Sequence, residues 1–315
     1  MSNLRKFIDF IITQKCTYNC SYCSQAKCMN KNPKEADNDV IKAFLEFISK
    51  LDKDFEITIT GGEAILHSKF MNLIYEIKKM GFKINLISNL SFEIKTYVEI
   101  FDLLKENLNN FDLSFHLDEI KDFDYTLAKL DQFINFKPKY VSMNIFIPIF
   151  KLNDEKIAKI NKIEKLAKQY DIPFYYQQIR YFGKKQKVSS LEQEYFKEYK
   201  TIKSFSRQCF AGCKSAIIYE NGDVYRCYSS RVMKNYYLGN IKDKKFALSS
   251  DKSPCLMKNC SCPKFNDYGQ IANDKADILQ LFPLVAYNCI NLPTLVVDNF
   301  DKIYNKILQK FKNKI

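Results

Sequence analysis

From the start of the chain to about residue 180, short apolar, β-branched runs alternate with stretches whose apolar positions recur every three to four residues. The short runs are "FIDFIIT" (7–13), "FEITIT" (55–60), "KINLIS" (83–88), "FDLSFHL" (111–117), "YVSMNIFIPI" (140–149) and "IPFYYQQIR" (172–180). Their length and their β-branched and aromatic content predict strands. Between them, Ile41, Phe44, Leu45, Ile48 and Leu51 mark one amphipathic helix, and Phe70, Leu73, Ile74 and Ile77 a second. Further helices are predicted over 92–107, 120–134 and 154–169, the last with Ile157, Ile160, Ile163 and Leu166 on or near one face. Six strands alternating with five helices indicate a parallel sheet with right-handed crossovers. A six-stranded partial barrel and an open doubly wound sheet both fit, and periodicity does not choose between them.

Past "RYFGKKQKVSS" the pattern changes. Residues 190–205 predict a connecting helix. From Cys209 to Asp267, six cysteines fall among short strand-like pieces, and "IIYENGDVYRC" predicts a hairpin turned at Asn221-Gly222. Two more helices are predicted over 271–281 and 298–313. No internal repeat or low-complexity segment is present.

At 315 residues and 46% apolar, the chain can build one large domain with a smaller appendage, and it is neither disordered nor collagen-like. Nothing reaches the roughly 18 unbroken apolar residues of a membrane span. "FIDFIIT" is interrupted by Asp9 and has no small-residue cleavage site, so it reads as a strand and not as a signal peptide. That predicts a reducing cytoplasm, where clustered thiols serve metals more often than disulfides. The net charge of +13 is spread over many helical segments, and no nucleic-acid-binding pattern accompanies it. A solvated lysine surface explains it better than nucleic acid, and it remains compatible with an anionic substrate.

Against that background "KCTYNCSYC" stands out, with Cys16, Cys20 and Cys23 on the loop after the first strand. Carboxyl ends of parallel strands are where α/β proteins place their chemistry. Cys28 follows shortly after, so a closed four-ligand zinc site stays open as a reading. Three thiolates on a cubane iron–sulfur cluster would instead leave one iron free for an outside ligand. One strand further on, "FEITITGGEAILHS" ends in Gly61, Gly62 and Glu63. The glycines allow backbone approach to a ligand, and the carboxylate offers charge-assisted hydrogen bonding.

The C-x3-C-x2-C spacing, with Tyr22 before the last cysteine, together with Gly-Gly-Glu, resembles the radical S-adenosylmethionine family. The resemblance implies a partial (β/α)6 barrel within an α/β fold. It also implies a [4Fe-4S] cluster on Cys16, Cys20 and Cys23 whose open iron chelates S-adenosylmethionine. Reductive cleavage of that cofactor gives a 5′-deoxyadenosyl radical that abstracts a substrate hydrogen. Gly61, Gly62 and Glu63 then help seat the cofactor, with Ser88, Asn89, Ser114 and Arg180 as further contacts. Ser114 and His116 share a face by alternation, and Gln178 ends the sixth strand. His116 is read as a core, cofactor or substrate residue, and His67 as structural. Lys15 and Tyr22 neighbour the cluster, and Cys28 is a spare thiol.

The later cysteines follow the same logic. Cys209, twelve residues, Gly222, four residues and Cys227, then "LGNIKD" and Cys255, Cys260 and Cys262, resemble the auxiliary-cluster region of the SPASM and twitch subfamilies. The run C-x4-C-x-C departs from the full SPASM pattern, so one [4Fe-4S] cluster is expected, held by Cys209, Cys227 and two of the last three. Four thiolates suit zinc equally well. Cys213 fits the pattern less well, and Cys289 reads as a small buried apolar residue.

The expected organisation is a radical SAM core over 1–185, a linker helix and auxiliary-cluster domain over 186–268, and a helical extension over 269–315. The expected activity is that of an oxidoreductase drawing electrons from a reductant such as flavodoxin or ferredoxin. Because the first strand begins by residue 7, no peptide-binding domain precedes it here, which favours a small polar metabolite of sugar or amino-sugar type. The alternatives are a peptide-modifying maturase and a non-catalytic iron–sulfur or zinc protein for electron transfer or binding. The last accounts for the thiols but not for Gly-Gly-Glu.

Overall fold

The six strands and five helices expected up to residue 179 all form in a computed structural model of the protein. It describes residues 4–23, 32–179, 189–195, 202–203, 207–228, 237–255, 259–260 and 271–275. In chain order they are β1 (Lys6–Thr13), α1 (Asn38–Ser49), β2 (Phe55–Gly61), α2 (Phe70–Lys79), β3 (Lys83–Ser88), α3 (Ile94–Leu104), β4 (Leu108–Ser114), α4 (Phe123–Phe136), β5 (Ser142–Ile149), α5 (Asp154–Gln169) and β6 (Phe174–Gln178). All six strands are parallel, and each pairs with the next in sequence. A doubly wound sheet would reverse its order partway; this one does not, and the partial-barrel topology is the one adopted. Right-handed crossovers that always step the same way put all five helices on one face.

Side-chain alternation divides the sheet. Ile8, Phe10, Ile57, Ile59, Phe111 and Ile145 face the helices and belong to the main core. There Tyr97, Phe101, Phe111 and Phe133 interlock with ring centroids 5.2 to 5.8 Å apart. The intervening positions, Asp9, Thr58, Asn85, Asp112 and Asn144, fall on the opposite, concave face. A closed barrel fills its interior with branched apolar side chains; this open sheet places polar ones along the middle strands of its concave side, with Phe7 and Ile11 of β1 on the same face.

The chain returns from the cysteine loop into α1 through a side-chain cap, with Asp37 Oδ1 accepting from Val40 N at 2.8 Å. Asp37→Ala is expected to cost about 1 kcal/mol, read as a lower denaturant midpoint at unchanged slope.

The second region adds α6 (Ser190–Glu194), β7 (Ile202–Lys203), β8 (Arg207–Cys209), β9 (Ser215–Ile218), β10 (Asp223–Tyr225), β11 (Tyr237–Asn240), β12 (Ser253–Pro254), β13 (Asn259–Cys260) and β14 (Ile271–Lys275). The predicted hairpin is β9–β10, and Gly222 takes the φ of +87° that its turn requires. Tertiary pairing then does what no local pattern announced. β9 lies parallel to β1, from Phe7 opposite Ser215 to Phe10 opposite Ile218, so the hairpin and β11 extend the barrel sheet to nine strands.

Three sequence expectations are corrected. The fourth strand starts at Leu108, three residues before the predicted 111–117, because Leu108 is buried and pairs with Ile84 across a bulge that absorbs Asn109. The helix expected over 190–205 is helical at Ser190–Glu194, whereas Ile202–Lys203 pairs antiparallel with β13. The helix expected over 271–281 begins as strand β14, captured by antiparallel pairing with β8; such pairing overrides local propensity. The helix expected over 298–313 lies outside the described residues. Among the described residues no helix is long and apolar enough to cross a membrane.

Candidate functional site

β1 ends at Thr13, and the loop bearing Cys16, Cys20 and Cys23 leaves from its carboxyl end. Beside it, β2 ends at Gly61 with Gly62 following, and the backbone of this pair rests on that loop. Gly62 N donates to Thr13 O at 2.8 Å and Glu63 N to Lys15 O at 2.7 Å. A Cβ on Gly61 would lie 2.4 Å from Thr13 O, and one on Gly62 would lie 2.2 Å from Lys15 O. The glycine pair thus acts first on the protein's own backbone, seating the cysteine loop against the next strand end.

Glu63 follows, 1% exposed. Its Oε2 accepts from Ser88 Oγ at 3.2 Å and from Asn89 N at 2.8 Å. Leu90 adopts φ +57°, rare for a branched residue, and this bend brings both donors onto Glu63. Asn89 also reaches the cysteine loop through Nδ2, 3.0 Å from Thr17 Oγ1 and 3.6 Å from Cys16 Sγ. Ser88 and Asn89 therefore lock Glu63 and the loop together.

Burial raises the Glu63 carboxyl to about 7 against the Asn89 and Ser88 hydrogen bonds. An unfolded glutamate ionises near 4.3, so between about pH 4.5 and 7 the folded protein keeps a proton that the unfolded chain has lost. Stability of the cofactor-free protein should therefore fall as pH rises through that window, by on the order of 3 kcal/mol, and level off above it. Urea titrations at about pH 5 and about pH 8 measure the drop, which Glu63→Gln should flatten.

On the far side of the loop, Tyr22 is buried between His116, ring centroids 5.8 Å apart, and Phe150 at 4.9 Å. Tyr22 OH lies 3.1 Å from His116 Nδ1, and His116 Nε2 lies 3.1 Å from Ser114 Oγ. Alternation correctly paired Ser114 with His116, although the strand itself stops at Ser114. Burial lowers His116 to about 4 despite nearby Asp118, so the ring is neutral near pH 7. His67 is structural: Nδ1 accepts from Lys69 N, so Nε2 carries the proton donated to Ala36 O at 2.9 Å. Lys15 pairs with Glu35. Cys28, Arg180, Cys262 and Cys289 lie outside the described residues, as do the side chains of Gln178 and Cys260.

The later cysteines gather on the concave face of β1. Cys209, Cys227 and Cys255 pack with Phe7, Ile11, Ala211, Tyr219 and Tyr225 in one cluster. Cys213 turns away, its thiol donating to Ser250 O at 3.5 Å. Cys260 lies on β13, in a separate two-stranded sheet. Both cysteine groups thus depend on β1, one beyond its carboxyl end and one against its inner face. Two contacts that the sequence did not reveal strengthen the link: buried Gln14 Nε2 donates to Glu220 Oε1 at 2.5 Å, and half-buried Tyr228 OH to Asp9 Oδ2 at 2.7 Å. Arg226, buried beside these cysteines, also escaped sequence reasoning. The polar concave positions were legible in principle, as the period-two spacing of Asn110, Asp112 and Ser114.

A loop of three thiols at one strand end, a glycine–glutamate seat at the next and a second thiol group on an added hairpin are the features of an iron–sulfur protein on a partial barrel. Residues 10–159 match the radical SAM superfamily, so this stretch is a radical SAM domain. Residues 209–261 match SPASM, an iron–sulfur cluster-binding domain, so an auxiliary-cluster domain follows the radical SAM domain. SuiB of Streptococcus suis, bound to precursor peptide SuiA, shares the fold with a TM-score of 0.57 at 16% identity. That match covers 78% of this chain and 64% of SuiB. The protein anSMEcpe with bound AdoMet matches with a TM-score of 0.54 at 16% identity, over 84% of this chain and 82% of that one. An uncharacterized protein of Methanocaldococcus jannaschii is 35% identical over 72 residues, 23% of either chain.

The family's cofactors are a [4Fe-4S] cluster, S-adenosylmethionine and auxiliary iron–sulfur cluster chemistry, and the residues present fit them. Burial pushes Cys20 up to about 12 and Cys16 upward, with Glu119 and Glu63 among the groups that add to it, so thiolates here call for a strong cationic partner. Glu63 Oε1 is buried with no hydrogen-bond partner among the described residues, a vacancy that suits an ammonium group. Among the described residues no three Cys, His, Asp or Glu side chains converge where a single metal ion would fit. A cubane, each of whose corners takes its own thiolate, does not require that convergence.

Proposed function

We propose that this enzyme carries out a net oxidation of a small polar metabolite, of sugar or amino-sugar type, in the cytoplasm. In this reading Cys16, Cys20 and Cys23 hold the [4Fe-4S] cluster, and Glu63, kept in place by Ser88 and Asn89, receives the ammonium group of S-adenosylmethionine. When bound, these groups supply one-electron reduction and hydrogen-atom abstraction. Tyr22, His116 and Phe150 pack on one side of the cysteine loop, where Cys20 is buried. Ser114 stands at the mouth of the concave face, and Arg180 is proposed to reach it from the end of the sixth strand. Cys209, Cys227 and Cys255, with Cys260 or Cys262, are proposed to hold one auxiliary cluster that takes up the electron left on the substrate.

The observation that carries the substrate class is the concave face below that mouth. Asp112 Oδ1 accepts from Asn110 Nδ2 at 2.6 Å and from Asn144 Nδ2 at 2.7 Å, which fixes two carboxamides beside half-buried Thr60 and Ser114. Such a surface offers paired donors and acceptors to hydroxyl and amine groups. Asp9, Glu56 and Asp112 give this face an acidic character, which favours neutral or amino-bearing substrates over anionic ones. A peptide substrate is the second reading, supported by the precursor peptide bound to SuiB.

The test is anaerobic incubation of the loaded enzyme with S-adenosylmethionine, a strong reductant, and either deuterated sugars and amino sugars or a short peptide. Deuterium arriving in 5′-deoxyadenosine from the carbohydrate set supports the proposal. Transfer from the peptide alone would move the assignment to a maturase.

A further inference from the structure

We infer that Arg226 is the positioning residue of the auxiliary cluster, a buried guanidinium that fixes the three chain segments carrying Cys209, Cys227 and Cys255 through their backbone carbonyls. The inference rests on the proposed ligation by those cysteines. Arg226 is 3% exposed. Its Nε donates to Ala211 O at 2.6 Å, its Nη1 to Pro254 O at 2.7 Å, and its Nη2 to Cys209 O at 3.0 Å and to Ser253 O. Two of these carbonyls belong to Cys209 and the turn after it, and two immediately precede Cys255. Arg226 itself immediately precedes Cys227. One side chain thus ties together the backbone around all three thiols.

Only a planar fork can do this. A guanidinium presents five N–H donors at fixed angles, so several carbonyls in different directions are satisfied at once. An ammonium at the end of a flexible stem reaches some of them without imposing an angle. The surroundings make room for the fork. Gly212, at φ +91°, leaves the space where a Cβ would sit 3.2 Å from Arg226 Cγ. The charge has a further use: the guanidinium favours the Cys209 thiolate, opposing the burial that otherwise pushes this thiol up to about 11.

The test isolates the auxiliary site in the full-length chain by placing Arg226→Lys and Arg226→Gln in a Cys16→Ala, Cys20→Ala, Cys23→Ala background. Iron and sulfide per chain, the rate of iron loss to a chelator, and the electron paramagnetic resonance spectrum of the reduced cluster are compared with the parent. Both variants should keep the far-UV signature of sheet and helices, since these hydrogen bonds of Arg226 go to β8, β12 and the turn after β8 and not to the six barrel strands or their helices. Iron loss should be about tenfold faster or more, equivalent to about 1.4 kcal/mol, with a shifted spectrum, and lysine should not restore it. Loss rates and spectra equal to the parent's overturn the inference, as does full restoration by lysine. A parent without iron would instead overturn the auxiliary-cluster reading itself.

Discussion

Replacing Cys16, Cys20 and Cys23 together by alanine is expected to reduce 5′-deoxyadenosine formation to the level of a protein-free control, while the chain keeps its auxiliary iron. The three thiols leave one loop at the carboxyl end of β1, and Asn89 and the Gly61-Gly62 backbone hold that loop against the neighbouring strand ends. Removing the thiols takes away every proposed protein ligand of the first cluster. The later cysteines sit on other segments and pack on the inner face of β1, so they do not depend on this loop for their positions. Iron per chain should fall by about four, the content of one cubane, and the remainder should stay with the hairpin domain. Full activity in the triple variant would refute the assignment. Loss of the first cluster from Cys28→Ala alone would return the site to a four-thiolate reading.

Gly62→Ala should be nearly as damaging, for steric reasons. The new methyl would lie 2.2 Å from Lys15 O and 2.7 Å from Gln14 O, distances no carbon–oxygen contact tolerates. Strand end and loop must part, breaking the bonds from Gly62 N to Thr13 O and from Glu63 N to Lys15 O. The cost is expected at about 3 kcal/mol or more, from overpacking plus unsatisfied buried amides. Iron loading and S-adenosylmethionine binding should fall with it, because Glu63 moves with the strand end. Gly81→Ala is the control. Nothing lies within 4 Å of a Cβ there, and only its φ of +81° opposes the change, so about 1 kcal/mol is expected. Equal urea midpoints for the two variants would show that close approach is not what Gly62 provides.

Much of this was legible in the sequence, for identifiable reasons. Strand and helix positions up to residue 179 follow from periodicities of two and 3.6, which are local properties. The cysteine loop and Gly-Gly-Glu were readable because ligand spacing and glycine need are also local. The alternation that places Asn110, Asp112 and Ser114 on one face was present as well. The errors came where pairing partners lie far apart in sequence. Ile271–Lys275 is a strand because β8 captures it, and Leu108 begins β4 because Ile84 stands beside it.

The sequence alone therefore determined the strand–helix alternation, the two thiol groups and the glycine seat between them, since each is written within a few consecutive residues. Tertiary structure alone decided that Glu63 is buried with one oxygen unpartnered among the described residues, that Gly62 serves the cysteine loop, that the hairpin joins the sheet through β1, and that Arg226 gathers the backbone around Cys209, Cys227 and Cys255. The physical reason is the range of the interactions. Periodicity and ligand spacing are set by neighbours in the chain. Burial and buried hydrogen bonds are set by whichever distant segments the fold brings into contact, as when Gln14 meets Glu220 across 206 positions.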